Sequence, residues 1–364
     1  MEEKFPFYRG CLLGMAIGDA LGYTVDDINW DDIQANYGPN GLLGYDLQDS
    51  ELAQISSHTQ IAAFLCNAYL LAISRGKTDY IRFGKVALKD WTRSQHFCRD
   101  PEESYCWIAK LPRFRQHRCR DARMLSILRQ EQFGTIDTPK NDNTAPGTIT
   151  AAVATALFYN EKRLTPQQIG SVTGELIALT HGNPETFLSG VVLAYALTGI
   201  LQEPSIPLID QFRHAIDVMD SQFRSRFFQA EELAMQLRRA IALAKSGTVS
   251  AQEGMEQLEC MDAAQCLSAA MFACLMCPND FDSAIVTAVN HSGFSAATGA
   301  IVGAIMGAKL GADALPDFYL ESLECVDVLE ILAEDIVSAS TTMSVFDDSW
   351  DHKYVQGLPP EGIS

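Results

Sequence analysis

Residues 290–311, NHSGFSAATGAIVGAIMGAKLG, carry glycine at every fourth position from 299 to 311. A second stretch near the N-terminus, RGCLLGMAIGDALG, repeats this spacing with glycines at positions 10, 14, 18 and 22. Between their glycines both stretches are mostly apolar and predict helices, in which each interior glycine costs on the order of 1 kcal/mol relative to alanine.

Close approach of two helix backbones would offset this cost, because small residues four positions apart form a continuous groove along a helix. We therefore predict that the two glycine-rich helices lie at the centre of the core, packed against each other. In that arrangement the chain that follows the first helix would lie beside the start of the second.

Composition limits the classes of function. The 364 residues carry a net charge of −19, which disfavours nucleic acid and anionic membranes as partners and favours a small molecule or a basic protein. No apolar run reaches the roughly 18 residues of a membrane span, and the acidic start MEEKFPFYRG is unlike a secretory signal. Ten cysteines, among them the Cys274 and Cys277 pair in an apolar run, are typical of reduced core thiols in a cytoplasmic protein.

Apolar residues recur at spacings of three and four through most of the chain, with capping residues at segment ends. This pattern predicts helices at residues 60–74, 148–159, 166–179, 185–201, 229–245 and 262–276. Strand-like alternation is scarce and no linker divides the chain. We predict one all-α domain over residues 1–345 and a loosely packed polar tail over residues 346–364.

Five segments, in this order, resemble the ADP-ribosylglycohydrolase family: GCLLGMAIGDALGYTVDD (10–27), YGPNG (37–41), ISSHTQIAAF (55–64), ALTHGNP (178–184) and NHSGFSAATGAIVGAIMGA (290–308). The resemblance implies an orthogonal bundle of helices. It also implies cleavage of the N- or O-glycosidic bond between ADP-ribose and a protein side chain, with two magnesium ions as the usual cofactor.

The resemblance further implies that a Ser/Thr-Asp-Asp run and an Asp-x-Asp-Ser/Thr run, each at a helix start, hold the magnesium ions. Hard dications prefer several oxygen ligands, carboxylates above all, and two of them can orient a ribose diol and activate water. The matching positions here are Ser56, Ser57, His58 and Thr59, and Gly293, Phe294, Ser295, Ala296 and Ala297. All four aspartates are replaced, so we expect no bound metal and no metal cofactor.

Two more family segments differ here. The Gly-Asn-Thr stretch aligns with residues 121–123, Asp-Ala-Arg, and the Lys-Gly-Cys-Gly-Gly loop aligns with residues 144–148, TAPGT. Only one glycine remains in that loop and Pro146 removes a backbone donor. The backbone cradle for the ligand is therefore predicted to be eroded as well.

Asp26 is the one catalytic candidate, since it stands where the family carries an acidic residue, usually Glu. The alternative is a solvated acid in a polar loop, because three further aspartates lie between residues 27 and 32.

His58, His291 and Asp26 would offer two nitrogens and one oxygen to a transition metal if they converged. Helix capping is the competing explanation for the SSHTQ segment, because Ser57 and Gln60 have the spacing of a capping box. A serine nucleophile with His58 as its base is disfavoured, since adjacent residues of a helix point about 100° apart.

Two further features, His181 and the basic segment 111–129, each have two possible interpretations. His181 is either a pocket wall or ribose contact, or part of a helix-ending turn with Gly182 and Pro184. Residues 111–129 contain six arginines and one acid. They either meet phosphates or an acidic partner, or pair with the protein's own carboxylates, and we favour the pairing.

We interpret the chain as an ADP-ribosylglycohydrolase-fold protein that has lost two-magnesium hydrolysis. It would act by binding a protein, such as an ADP-ribosylating toxin that it occludes, or a small molecule, with ligands related to ADP-ribose among the candidates. The residues of the remnant cleft are Ser56, Ser57, His58, Thr59, His181, His291, Phe294 and Ser295. The alternatives are an active hydrolase with a non-standard site, such as Asp26 with His58, and a structural subunit of an assembly.

Overall fold

The computed structural model describes residues 4–47, 50–95, 103–158, 164–341 and 347–363. These residues form seventeen α-helices and a few 3₁₀ turns, and their only β pairing is an isolated bridge between Ala53 and Leu323. The prediction of an all-α fold is confirmed.

The helices, in chain order, are α1 (Phe5–Thr24), α2 (Trp30–Tyr37), α3 (Ser57–Ser74), α4 (Tyr80–Ser94), α5 (Ala122–Gln130), α6 (Ala151–Leu157), α7 (Pro166–Ala178), α8 (Pro184–Gln202), α9 (Leu208–Phe223), α10 (Gln229–Ser246), α11 (Ala251–Gln257), α12 (Ala263–Met276), α13 (Phe281–Val289), α14 (Ser295–Leu310), α15 (Asp317–Ser322), α16 (Val326–Thr341) and α17 (Asp348–Tyr354). All six predicted helices agree with these bounds to within three residues at each end. The helix predicted over residues 148–159 is shorter at both ends, and residue 159 lies outside the described residues.

The two glycine-rich helices pack backbone to backbone, as predicted. The facing pairs are Gly10 with Gly307, Gly14 with Gly303, Gly18 with Gly299, and Gly22 with Ser295. The numbers run in opposite directions, so α1 and α14 are antiparallel. A Cβ added at any glycine of these pairs would come within 3.0 Å of the carbonyl oxygen of the facing residue. The contact therefore excludes every side chain, which explains why the sequence accepts so many helical glycines.

The central pair is surrounded by a continuous apolar core. Residues 10–22 of α1 and residues 295–308 of α14 are buried on all sides. Helices α3, α8, α12, α13 and α16 pack around them. Cys274 is a buried free thiol in α12, in agreement with the prediction of core packing.

Helix α8 contradicts our expectation that no segment is long enough to span a membrane. Among the described residues it is the one helix that meets that criterion by length and composition, with a mean hydropathy of 1.4. It is nevertheless packed inside the protein, because 83% of its apolar window is buried. Its hydrophobicity is that of a core helix.

The prediction of a loosely packed tail is wrong for residues 347–363. Trp350 and Tyr354, four residues apart on one face of α17, are buried. The side chains of Lys353 and Tyr354 both donate hydrogen bonds to Asp335, each at 2.5 Å. A mostly polar segment is thus anchored by one apolar face and by the partly buried carboxylate of Asp335. The predicted boundary between residues 345 and 346 lies outside the described residues.

We expect Gly18→Ala to lower the free energy of unfolding by about 3 kcal/mol, because the new methyl group must displace the backbone of Gly299. Urea unfolding followed by circular dichroism measures the change. The matched control is Gly44→Ala, where a Cβ meets no atom within 4 Å and the change should stay within about 0.5 kcal/mol. Equal stability of the two variants would contradict the backbone contact.

Candidate functional site

The start of α14 lies against the end of α1. Gly22 faces Ser295 across the helix pair, and the backbone N–H of Asp27 donates to the carbonyl oxygen of Gly293 at 2.9 Å. The prediction that the chain after the first glycine-rich helix lies beside the start of the second is therefore confirmed. We call this region, with the start of α3 that also adjoins it, the junction: residues 22–27, 56–59 and 293–296.

Asp19 of α1 attaches the start of α3 to the junction. Its fully buried carboxylate accepts hydrogen bonds from the backbone N–H and the hydroxyl of Ser56, at 3.0 and 2.5 Å, and from those of Thr59, at 3.1 and 2.5 Å. Burial raises the pKa of Asp19 to about 6, and these hydrogen bonds oppose the rise. Sequence reasoning missed this residue, although it is the only acid in the apolar helix α1.

Ser56, and not Ser57, caps α3, so the predicted capping box is wrong. The hydroxyl of Ser56 accepts the backbone N–H of His58 at 3.1 Å. The side chain of Gln60 points elsewhere and accepts a hydrogen bond from the indole of Trp91 at 3.0 Å. The cap is Ser56, one residue before the predicted Ser57, because the hydrogen bonds to Asp19 hold Ser56 in place.

Asp26 performs the corresponding task for α14. Its Oδ1 accepts the backbone N–H of Ala296 at 3.0 Å. The N-cap residue of α14 is Phe294, whose side chain makes no capping hydrogen bond. The Oδ2 atom of Asp26 lies 3.5 Å from the guanidinium of Arg120, and only 13% of the Asp26 side chain is exposed. Burial raises the pKa of Asp26, while the hydrogen bond from Ala296 opposes the rise. Asp26 is therefore not the solvated acid of the alternative interpretation.

His58 is buried at the start of α3, with 8% of its surface exposed. Its backbone carbonyl accepts the hydroxyl of Thr150 at 2.8 Å, but its Nδ1 has no partner among the described residues. Burial lowers the pKa of His58 to about 4; the charge of Asp26 opposes this and His181 adds to it. The imidazole is neutral near pH 7, and a bound group could satisfy its free nitrogen.

His181 belongs to a buried network that fixes the wall beside the junction. Its Nε2 lies 3.1 Å from Oδ2 of Asp121, and its Nδ1 lies 3.0 Å from the hydroxyl of Thr148. Asn143 also donates to Asp121, at 2.7 Å. Burial favours a raised pKa for Asp121, but the hydrogen bonds from His181 and its other donors hold that pKa below the usual value. His181 thus links residues 121 and 148, in the two segments that depart from the family pattern.

His291 does not join His58 and Asp26. Its Nδ1 lies 2.8 Å from the carbonyl oxygen of Ser292, and the backbone N–H of Ser292 donates to Glu256 at 2.8 Å. Burial lowers the pKa of His291, and its Nε2 has no partner in the described chain. The described residues contain no group of three or more His, Cys, Asp or Glu side chains able to hold a metal ion. The hypothesis of a histidine-based metal site is therefore not supported.

The remaining candidates lie at the two helix starts. Ser57 is buried in the first turn of α3, and Ser295 is buried in the first turn of α14, where its hydroxyl donates to the carbonyl oxygen of His291 at 3.4 Å. The partly buried ring of Phe294 packs against the core, and its backbone N–H donates to the carbonyl oxygen of Cys260 at 2.9 Å. The junction thus brings the start of α3 and the start of α14 to one place.

Three arginines of the basic segment pair with carboxylates, as we favoured. Arg113 binds Asp327 at 2.7 Å, Arg118 lies 3.5 Å from Glu324, and Arg120 pairs with Asp26 as described above. The guanidinium of Arg120 also lies over the ring of Tyr23, 5.0 Å from its centroid, so that it covers the end of α1.

A pocket of about 310 Å³ adjoins the end of α1 next to this arginine. It is lined by Tyr23, Thr24, Tyr45, Asp46, Ser50, Leu52, Ala53 and Gln54. The hydroxyl of Tyr45 is buried and has no partner among the described residues.

Comparison with known proteins gives a family and a fold. Residues 3–344 match the family model described as ADP-ribosylglycohydrolase. A solved structure described as an ADP-ribosylglycohydrolase-related protein complex is similar, with a TM-score of 0.57 and 22% sequence identity over 94% of this chain and 100% of that chain. A search of curated proteins finds no match.

We expect His58 to make the protein less stable on mild acidification. Its pKa is about 4 in the folded state and about 6.5 in an unfolded chain, so the unfolded state binds more protons between these pH values. The free energy of unfolding should fall from pH 6.5 towards pH 4, by up to about 3 kcal/mol in total. His58→Gln removes this contribution.

Urea unfolding of the wild type and His58→Gln at pH 7.5, 6.5, 5.5 and 4.5 checks this expectation. The contribution of Asp19 has the opposite sign, since its raised pKa favours the folded state on acidification, and it cancels in the comparison. The exposed His117 provides the matched control His117→Gln. A constant difference between wild type and His58→Gln at all four pH values would contradict a buried neutral imidazole.

Asp26 can be tested as a helix cap. Asp26→Asn keeps an oxygen for the N–H of Ala296 and should cost little, whereas Asp26→Ala should lower the free energy of unfolding by about 1 to 2 kcal/mol. The control Asp31→Ala, an exposed acid in the first turn of α2, should change it by less than about 0.5 kcal/mol. Thermal and urea unfolding provide the measurement, and equal costs for Asn and Ala at position 26 would show that capping is not its role.

Proposed function

The chain belongs to the ADP-ribosylglycohydrolase family, and we propose that it keeps the fold of that family but acts by binding a partner instead of by magnesium-dependent hydrolysis. The partner is a protein or a small molecule, and ligands related to ADP-ribose are among the candidates. Reduced thiols at all nine described cysteines are compatible with the cytoplasmic location that we also propose.

The single observation that carries this proposal is that the carboxylate of Asp26 is bound by other groups of the protein. The junction contains two aspartates, the exposed Asp27 and the largely buried Asp26. The carboxylate of Asp26 accepts the N–H of Ala296 and pairs with Arg120. Helix starts carry partial positive charge, so two dications held there need several carboxylates to offset the repulsion. The side chains at the four positions that the family resemblance assigns to aspartates are instead hydroxyl, imidazole, phenyl and methyl groups.

The chemistry of the junction suits a neutral or weakly charged ligand group. His58 is neutral near pH 7 and has an Nδ1 without a partner, and the side chains of Tyr23 and Tyr45 line the adjoining pocket. Arg120, which contacts Asp26 and Tyr23, is an exposed cation of this region, with 59% of its side chain accessible. For a protein partner, the net charge of −19 would accelerate encounter with a basic surface.

A second candidate function is hydrolysis with a non-standard site. Asp26 and His58 are close enough for each to shift the pKa of the other, and ionisable groups with perturbed pKa values cluster at functional sites. This candidate requires turnover without magnesium, and loss of turnover in His58→Gln.

We expect the wild type to show no saturable binding of Mg²⁺ or Mn²⁺ by calorimetry, with or without ADP-ribose, and no release of ADP-ribose from proteins modified on arginine or serine. Magnesium-dependent release by the wild type would contradict the proposal. Magnesium-independent release that disappears in His58→Gln would establish the second candidate instead.

Restoring the carboxylates tests the electrostatic argument itself. The variant Ser57→Asp, His58→Asp, Phe294→Asp, Ala296→Asp should gain manganese binding but little hydrolysis, since the loop at residues 144–148 remains altered. Its matched control carries Asn at the same four positions, which reproduces the shape without the charge and should bind no metal. Metal binding by the Asn variant, or full hydrolysis by the Asp variant, would show that carboxylates are not the missing element.

A further inference from the structure

A groove between α9 and α10 has a local charge opposite to that of the whole chain. Its volume is about 560 Å³, and it is lined by Arg213, Asp217, Arg238, Ile241, Ala242, Lys245 and Ser246. Three cations and one carboxylate therefore face the groove, on a chain with a net charge of −19. None of these residues belongs to the junction or to the pocket beside it.

The helical spacing brings the cations together. Arg238, Ile241 and Lys245 follow one another at three and four residues on α10, and so share one face of that helix. Arg213 and Asp217 are four residues apart on α9, which packs alongside α10. Ile241, which is buried with 4% exposed, also lines the groove and gives it an apolar surface.

The cations are only partly used within the protein. Arg238 binds Asp217 at 2.7 Å, and Arg213 lies 3.8 Å from Asp210, with about half of each arginine side chain exposed. Lys245 forms no ion pair with any described residue. It lies in the last turn of α10, where a cation interacts favourably with the helix dipole. The dipole does not explain the presence of Arg213 and Arg238, which lie further from the C-terminal end of α10.

We propose that this groove binds a small organic diphosphate, or a ligand of the same size with two phosphate groups. Arginine matches the fork of phosphate oxygens and lysine adds a mobile point charge. The volume lies in the range typical of small-molecule sites, and Ile241 and Ala242 provide an apolar surface for the organic part. This site is independent of the function proposed for the junction.

Titration with inorganic pyrophosphate, followed by calorimetry and by NMR of the arginine side chains, tests the proposal. Saturable binding should be tighter than for inorganic phosphate and weaken as salt increases. Arg238→Gln and Lys245→Gln should each reduce the affinity about tenfold, the usual loss for one charged hydrogen bond. Asp217→Asn should strengthen binding, because it removes the carboxylate that competes for Arg238.

The matched control is Arg239→Gln, which makes the same change of charge at the neighbouring exposed position and should alter the affinity by less than about twofold, since screened surface charge acts weakly. The proposal would be overturned by the absence of saturable binding, or by equal losses of affinity in Arg238→Gln and Arg239→Gln. Loss of binding in His58→Gln would also overturn it, because it would place the ligand at the junction. Tighter binding of polyglutamate than of pyrophosphate would overturn it as well, because it would indicate an acidic protein segment as the occupant.

Discussion

The backbone contact between α1 and α14 determines the position of almost everything else at the junction. Because glycine faces glycine at three successive turns, the two helices approach more closely than any pair with side chains could. This closeness fixes both their register and their antiparallel direction. As a result, Asp19 near the end of α1 and Asp26 just after it are placed at the starts of α3 and α14, respectively.

Each of these helix starts is thus satisfied by a carboxylate from the chain itself. Asp19 is fully buried and makes four hydrogen bonds to α3, and Asp26 is shared between α14 and Arg120. A helix start that has its own anion has little remaining affinity for another, and no means of holding a cation without further carboxylates. His58, neutral and buried, supplies none. These contacts support our proposal that the junction serves binding and not magnesium-dependent hydrolysis.

The features that could be predicted from the sequence are those with a local period. Glycine every four residues gave the central helix pair, and apolar spacing gave most helix bounds. Contacts between distant residues left no such signal: Asp121 and His181 are 60 positions apart, and Asp26 and Ala296 are 270 apart. Ser56 and Ser57 are adjacent serines, so only the three-dimensional position of Asp19 decides which of them caps α3. Trp350 and Tyr354 lie in a segment too polar overall to reveal its buried face.

The most direct test of the account is anomalous diffraction from crystals grown with manganese chloride, which locates each bound dication without reliance on activity. The account predicts no manganese peak between the starts of α3 and α14, and an Asp26 carboxylate still bonded to Ala296. Two well-coordinated peaks beside Ser57 and Ala296 would contradict it, since they would show that the site holds its ions without the carboxylates that it lacks.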